Sequence, residues 1–165
     1  MTLAEAGAKA DELAQAGDER ALAGLRAEWG DEIEALARNR DYRERIVAYR
    51  AVGQFRFRQK RELLRRGLED DSPACRGSAL VSLERLSRDA PGDVNAVRPL
   101  LHRMADADDN QAVRRLAVIC LRNGSATRDT IALLSGLADD DRQERELRET
   151  AAKVATTLKK KANAG

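Results

Sequence analysis

The sequence predicts an all-α chain of about four tandem helical hairpins closed by a lone C-terminal helix. Three observations lead there. Ala, Leu, Arg, Glu and Asp dominate the 165 residues, aromatics are 3% and there are only 3 prolines, a composition that favours helix over strand. Apolar residues recur at helical spacing along successive segments. One pattern then returns along the chain: arginines at 45, 76, 114 and 148, separated by 31, 38 and 34 residues, each with an alanine three residues on. Unequal spacing around a constant core pattern is what helical-hairpin repeats show when only their loops vary.

The first helix is predicted over 2–16, with Leu3, Ala6, Ala10, Leu13 and Ala14 on one face. Thr2 followed by Glu5 matches a capping box at its start. Gly17 stops this helix and Asp18 is placed to cap the next. The second helix carries Leu22, Leu25, Trp29, Ile33 and Leu36 along one stripe that stays in register across Gly30, so a single long helix is expected, with Gly30 the place for a bend. Trp29 lies on that stripe and reads as core.

The repeats follow. Three residues after the arginines stand Ala48, Ala79, Ala117 and Ala151, and four beyond them Val52, Leu83, Leu121 and Ala155. Six before the arginine stand Asn39, Asp70 and Asp108, while in the last copy Asp141 is displaced by one. The second helices are predicted over 54–67, 93–104 and 127–138; Pro99 makes the middle one begin late or kink. A closing helix over about 142–160 is expected to fray into Lys159–Lys161 and the tail. The expected organisation is an N-terminal hairpin at 1–38, repeats over 39–160 and a frayed tail at 161–165. One hairpin cannot bury its own apolar stripe, so such units must stack.

The run Asp-x5-Arg-x2-Ala-x3-Leu, then a glycine turn, then a helix with paired leucines, resembles HEAT repeats, and the shorter bacterial HEAT-like type found in phycobilisome lyase subunits most of all. The resemblance covers about 39–158. Glu44 departs from it, standing where the other copies have Cys75, Val113 and Leu147. The resemblance implies a right-handed α-solenoid whose second helices line a concave surface, acting by binding other macromolecules. It also implies that Arg45, Arg76, Arg114 and Arg148 pair with turn acids such as Asp70 and Asp108 of neighbouring units, a structural role rather than a phosphate ladder.

Several function classes are excluded as expectations. His102 is the only histidine, so neither a His-based metal cluster nor a Ser-His-Asp triad can be built. The aspartate runs at 106–109 and 139–141 lack the glycine and terminal glutamate of a calcium loop and suit helix caps better. No glycine-rich phosphate loop or paired-cysteine motif occurs, so no enzyme activity, cofactor, metal or small-molecule substrate is expected. No apolar run approaches the roughly 18 residues of a membrane span, and the acidic start is unlike an export signal. Cys75 and Cys120 read as buried thiols of a cytoplasmic protein.

Charge points to the partner. Residues 1–39 hold 4 Lys/Arg against 9 Asp/Glu, and residues 40–66 hold 10 against 3. On a continuous helix over 54–67, Phe57, Leu63, Leu64 and Leu68 form the buried side and Arg58, Arg61 and Arg65 share a neighbouring face. With Arg98, His102 and Arg103 on the following second helix, that face is the candidate partner surface. Three readings stand: a protein partner, which is favoured; nucleic acid, which one HEAT-like group of DNA glycosylases binds; and an accessory subunit of an enzyme such as a bilin lyase. The same basic face could instead be neutralised by the acidic N-terminal helices.

Overall fold

In the computed structural model, which describes residues 1–165, the chain is a succession of helices with no strand. It divides into two compact units, Met1–Leu86 and Ser87–Gly165. In a repeat array each hairpin touches only its neighbours, so no single core ties the whole length together.

The first unit holds α1 (Leu3–Gln15), α2 (Glu19–Leu36), α3 (Tyr42–Gln54), α4 (Arg61–Leu68) and α5 (Pro73–Ser87). The capping box forms: the Glu5 amide donates to Thr2 Oγ1 at 3.2 Å and the Thr2 amide to Glu5 Oε2 at 2.9 Å. Gly17 takes φ +74, a left-handed conformation that glycine adopts without a Cβ penalty. Asp18 then caps α2 through the Ala21 amide at 3.1 Å. α2 runs unbroken through Gly30, and Leu22, Trp29 and Ile33 are buried along it.

The predicted second helix over 54–67 does not form as one piece. α3 continues through Gln54 and ends in a Schellman turn, with the Phe57 amide donating to the Val52 carbonyl (2.9 Å) and the Arg56 amide to that of Gly53 (3.0 Å). Arg56 occupies the left-handed position at φ 49, where glycine is usual. A short 3-10 turn, Arg58–Lys60, then leads into α4. Burial shifts accordingly: Phe55 is fully enclosed and Phe57 only half so, whereas Leu63, Leu64 and Leu68 are core as predicted.

Gly53 is a packing glycine inside α3. Ser82 of α5 sits against it, accepting from the Gly53 amide at 3.0 Å and donating to the Tyr49 carbonyl at 2.6 Å. A Cβ on Gly53 would lie 2.8 Å from Ser82 Cα. Gly67 of α4 lies as close to α3 and α5, where a Cβ would meet Tyr49 and Ala79 at 2.9 and 2.8 Å.

The second unit holds α6 (Pro91–Asn95), α7 (Arg98–Ala107), α8 (Gln111–Leu121), α9 (Arg128–Asp139) and α10 (Arg145–Ala164). Pro99 falls in the first turn of α7, so this helix begins late, after a break at Ala96 and Val97. α10 corrects the frayed tail: it stays helical to Ala164, and Lys161 Nζ donates to the carbonyls of Arg122 (2.8 Å) and Gly124 (3.2 Å). These acceptors lie about 40 residues upstream of Lys161, beyond the reach of any local pattern.

In both units the alanine column is wholly enclosed: Ala48, Ala79, Ala117 and Ala151 each have 0% exposure. The position before the arginine is buried at Cys75, Val113 and Leu147, while Glu44 is exposed. Ala117→Leu is expected to destabilise the chain by about 1–3 kcal/mol, the cost of overpacking a closed site. Gly53→Ala should cost a similar amount, because backbone as well as side chain of Ser82 stands in the way. Urea unfolding of both variants checks this, and an unchanged midpoint would count against the packing described.

Candidate functional site

The signature arginines act on backbone carbonyls just upstream of their own helix. Arg45 Nη1 donates to the carbonyls of Asn39 and Arg40, both at 3.0 Å. Arg76 Nη1 reaches those of Asp70 (2.9 Å) and Asp71 (3.3 Å). Arg114 reaches Ala105 and Asp106, at 2.9 and 3.0 Å. Helix C-termini leave carbonyls without intrahelical partners, and a guanidinium supplies several donors to them at once.

The remaining donors cross to the next hairpin. Arg45 Nε and Nη2 form a two-pronged bond with the Asp70 carboxylate at 2.9 and 3.0 Å, and Nη2 also meets Asp71 at 3.1 Å. Burial pushes the Asp70 carboxyl up, but the Arg45 guanidinium and the Ser72 amide outweigh burial and hold it below the usual carboxylate range. In return the Asp70 hydrogen bond raises Arg45 further. Arg114 uses Gln143 Oε1 instead, at 2.9 Å. The one-residue slip in the last copy explains the substitution: Asp141 stays near its own Arg148 at 3.9 Å, and Gln143 comes within reach of Arg114. Asp108 accepts the Asn110 amide at 3.0 Å. Arg148 is the exception in the row, its Nε buried without a hydrogen-bond partner.

Of the expected stripe, Arg58 stands in the 3-10 turn that leads into α4, and Arg61 and Arg65 stand in α4 itself, all three after the break at residues 55–57. Arg58 lies in the 3-10 turn, half-buried, and donates to the Leu86 carbonyl at 3.0 Å. Arg61 and Arg65 open α4 on its exposed side; Arg61 Nε donates to the Arg58 carbonyl at 2.8 Å and Arg65 pairs with Glu62 at 3.5 Å. Much of the surrounding positive charge meets the acidic N-terminal helices. Glu34 of α2 takes Lys60 (3.1 Å) and Arg66 (3.4 Å), and Asp11 of α1 takes Arg56 (2.9 Å) and Arg85 (3.1 Å).

In the second unit Arg98 and His102 turn toward Thr130 of α9 rather than outward. Thr130 Oγ1, fully buried, accepts from Arg98 Nη1 at 2.9 Å and lies 2.8 Å from His102 Nε2. Arg98 also donates to the Ser125 carbonyl at 3.2 Å and to Asn95 Oδ1. Burial first, and then the neighbouring Arg98 cation, push the imidazole below its ordinary value, with Asp129 pulling the other way. Arg103 is exposed. Elsewhere in this unit an open groove of about 390 Å³ runs between α8 and α10, floored by Leu116 and Ile119 and crossed by the Arg115–Glu146 ion pair. No helix is long and apolar enough to cross a membrane.

HEAT repeats, as a family, match residues 31–122, more than half of the chain. The chain belongs to the HEAT-repeat family. No curated protein matches it. The HEAT match begins within α2, spans the arginines at 45, 76 and 114 with their alanine column, and ends just after α8.

Thr130, Asn95 and Ser125 were not visible as site residues in the sequence. The Thr127-x-x-Thr130 spacing marks the start of a helix, and Thr127 Oγ1 does accept the Thr130 amide at 3.3 Å, but nothing local shows that the Thr130 hydroxyl faces α7. Asp70→Asn is expected to cost about 3 kcal/mol at pH 7, the usual loss when one partner of a largely buried pair is removed. Because the folded carboxyl titrates below its unfolded value of about 3.9, its contribution is full above that pH and lost as pH falls through the folded value. Denaturant unfolding at pH 7 and at pH 3 should show the gap between wild type and variant shrinking at the acid end.

Proposed function

We propose that this chain is a non-catalytic HEAT-repeat module that binds a protein partner carrying an acidic segment, using the exposed sides of its second helices. HEAT repeats generally mediate protein interactions. What supports the reading here is the way the arginines divide. Arg45, Arg76, Arg98 and Arg114 are engaged with carbonyls and side chains that hold hairpins together. Arg65 keeps 54% of its side chain exposed, and its 3.5 Å pair with Glu62 is a surface contact of the kind that adds little stability. Arg103 also faces solvent. Charge that the hairpins do not need is available to a partner.

The nucleic-acid alternative is weaker than the protein one. It relied on Arg58, Arg61 and Arg65 tracking a phosphate backbone along one helix, and Arg58 is held at the Leu86 carbonyl instead. A reducing cytoplasm is the setting that suits the two buried free thiols, Cys75 and Cys120.

Affinity capture with wild-type bait, compared with an Arg61→Glu/Arg65→Glu variant and with Arg103→Glu, tests the reading. A protein retained by wild type and lost at least tenfold by either variant, with unfolding midpoints unchanged, is the expected result. Equal retention by all three baits would refute a role for these arginines. Nucleic-acid binding that falls steeply with salt would move the reading to the alternative.

A further inference from the structure

We propose that His102 is a proton-operated latch between α7 and α9, closed while its imidazole is neutral and released when it takes up a proton. The inference stands apart from the partner reading. It rests on the hydrogen-bond capacity of one hydroxyl. Thr130 Oγ1 receives Arg98 Nη1 at 2.9 Å and the Thr127 hydroxyl at 2.9 Å, which uses both of its lone pairs. With the Thr127 hydroxyl as donor, the Thr130 proton goes to His102 Nε2 at 2.8 Å. In that arrangement Nε2 is bare, and the neutral imidazole carries its proton on Nδ1.

The same cluster anchors the approach to α9. Arg98 donates to the Ser125 carbonyl, Asn95 Nδ2 donates to Ser125 Oγ at 2.9 Å, and the Ser125 amide donates to Asn95 Oδ1 at 3.0 Å. Protonating Nε2 would aim a fourth hydrogen at an oxygen with no acceptor capacity left. The charged groups acting on the imidazole are Arg98, one turn earlier on α7, and Asp129, in the first turn of α9; α8 and α10 bring none. A new cation beside Arg98 adds repulsion that Asp129 only partly offsets. Release then frees the start of α9 from α7.

The sign follows. The folded imidazole titrates below the unfolded value of about 6.5, so the unfolded chain binds more protons on acidification. The latch contributes fully above that pH and loses its contribution as pH falls below it toward the folded value.

Because the chain has one histidine, its imidazole nitrogen signals need no assignment by mutation. Nitrogen-15 NMR of the full chain from pH 8 to pH 5 is expected to show the Nδ1–H tautomer at high pH and a titration midpoint below 6.5. The amides of Ser125, Thr127 and Thr130 should move with the same midpoint, and their hydrogen exchange should rise several-fold once the imidazole is charged. In Thr130→Val, which keeps the shape and removes the hydroxyl, the midpoint should climb toward 6.5. An Nε2–H tautomer, a midpoint at or above 6.5, α9 amides indifferent to the titration, or an unmoved midpoint in Thr130→Val would each overturn the latch.

Discussion

A helix that stops leaves its last carbonyls without partners, and in a stack of hairpins the next helix begins almost on top of them. The signature arginine resolves that conflict in three of the four copies. Arg45, Arg76 and Arg114 each reach back to two carbonyls at the end of the preceding segment, and Arg45 and Arg114 also reach forward to Asp70 and Gln143 of the following hairpin. One side chain thereby sets where a helix starts relative to both neighbours. The guanidinium suits the task because its planar fork presents several donors at fixed angles and stays charged at any ordinary pH. Its charge is answered by a carboxylate where one is in register and by an amide where the register has slipped.

With the ends positioned in this way, small residues set the distance between helices. The enclosed alanines at 48, 79, 117 and 151 are points where a larger side chain has no room, and Gly53 and Gly67 take the contact closer still. Ser82 shows how a polar side chain survives there: it accepts from one α3 amide and donates to an α3 carbonyl, so its own hydroxyl is matched on both counts. The leucines and valines beside these positions supply the buried area, and the small residues permit it.

Charge follows a different logic. The basic stretch between residues 40 and 66 and the acidic N-terminal helices belong to one compact unit, and Glu34 and Asp11 meet four of its cations. Arg56 shows the coupling between backbone and charge. It takes a left-handed turn position normally given to glycine, and its side chain is held by Asp11 and by the carbonyls of Gly53 and Gln54. Those contacts offset a conformation that a non-glycine residue adopts at some cost. Arg65 and Arg103 differ from these in facing solvent.

Periodicity, capping and the alanine column were legible from the residues alone. Thr2 and Glu5, Asp18, the inward Trp29 and the late start imposed by Pro99 all depend on neighbours within a turn or two, and at that range chemistry dictates geometry. The break at residues 55–57 was not legible, because Arg56 gives no glycine signal for a left-handed turn and Gly53, which resembles a turn residue, serves packing. The fates of Arg58, Arg98 and His102 depend on Leu86, Ser125 and Thr130, each about 30 residues away. The sequence by itself determined the repeat, its helices and their buried faces, since these arise from local spacing. Only the tertiary structure decided which charges hold the hairpins together and which face solvent, since that depends on distances no local pattern encodes.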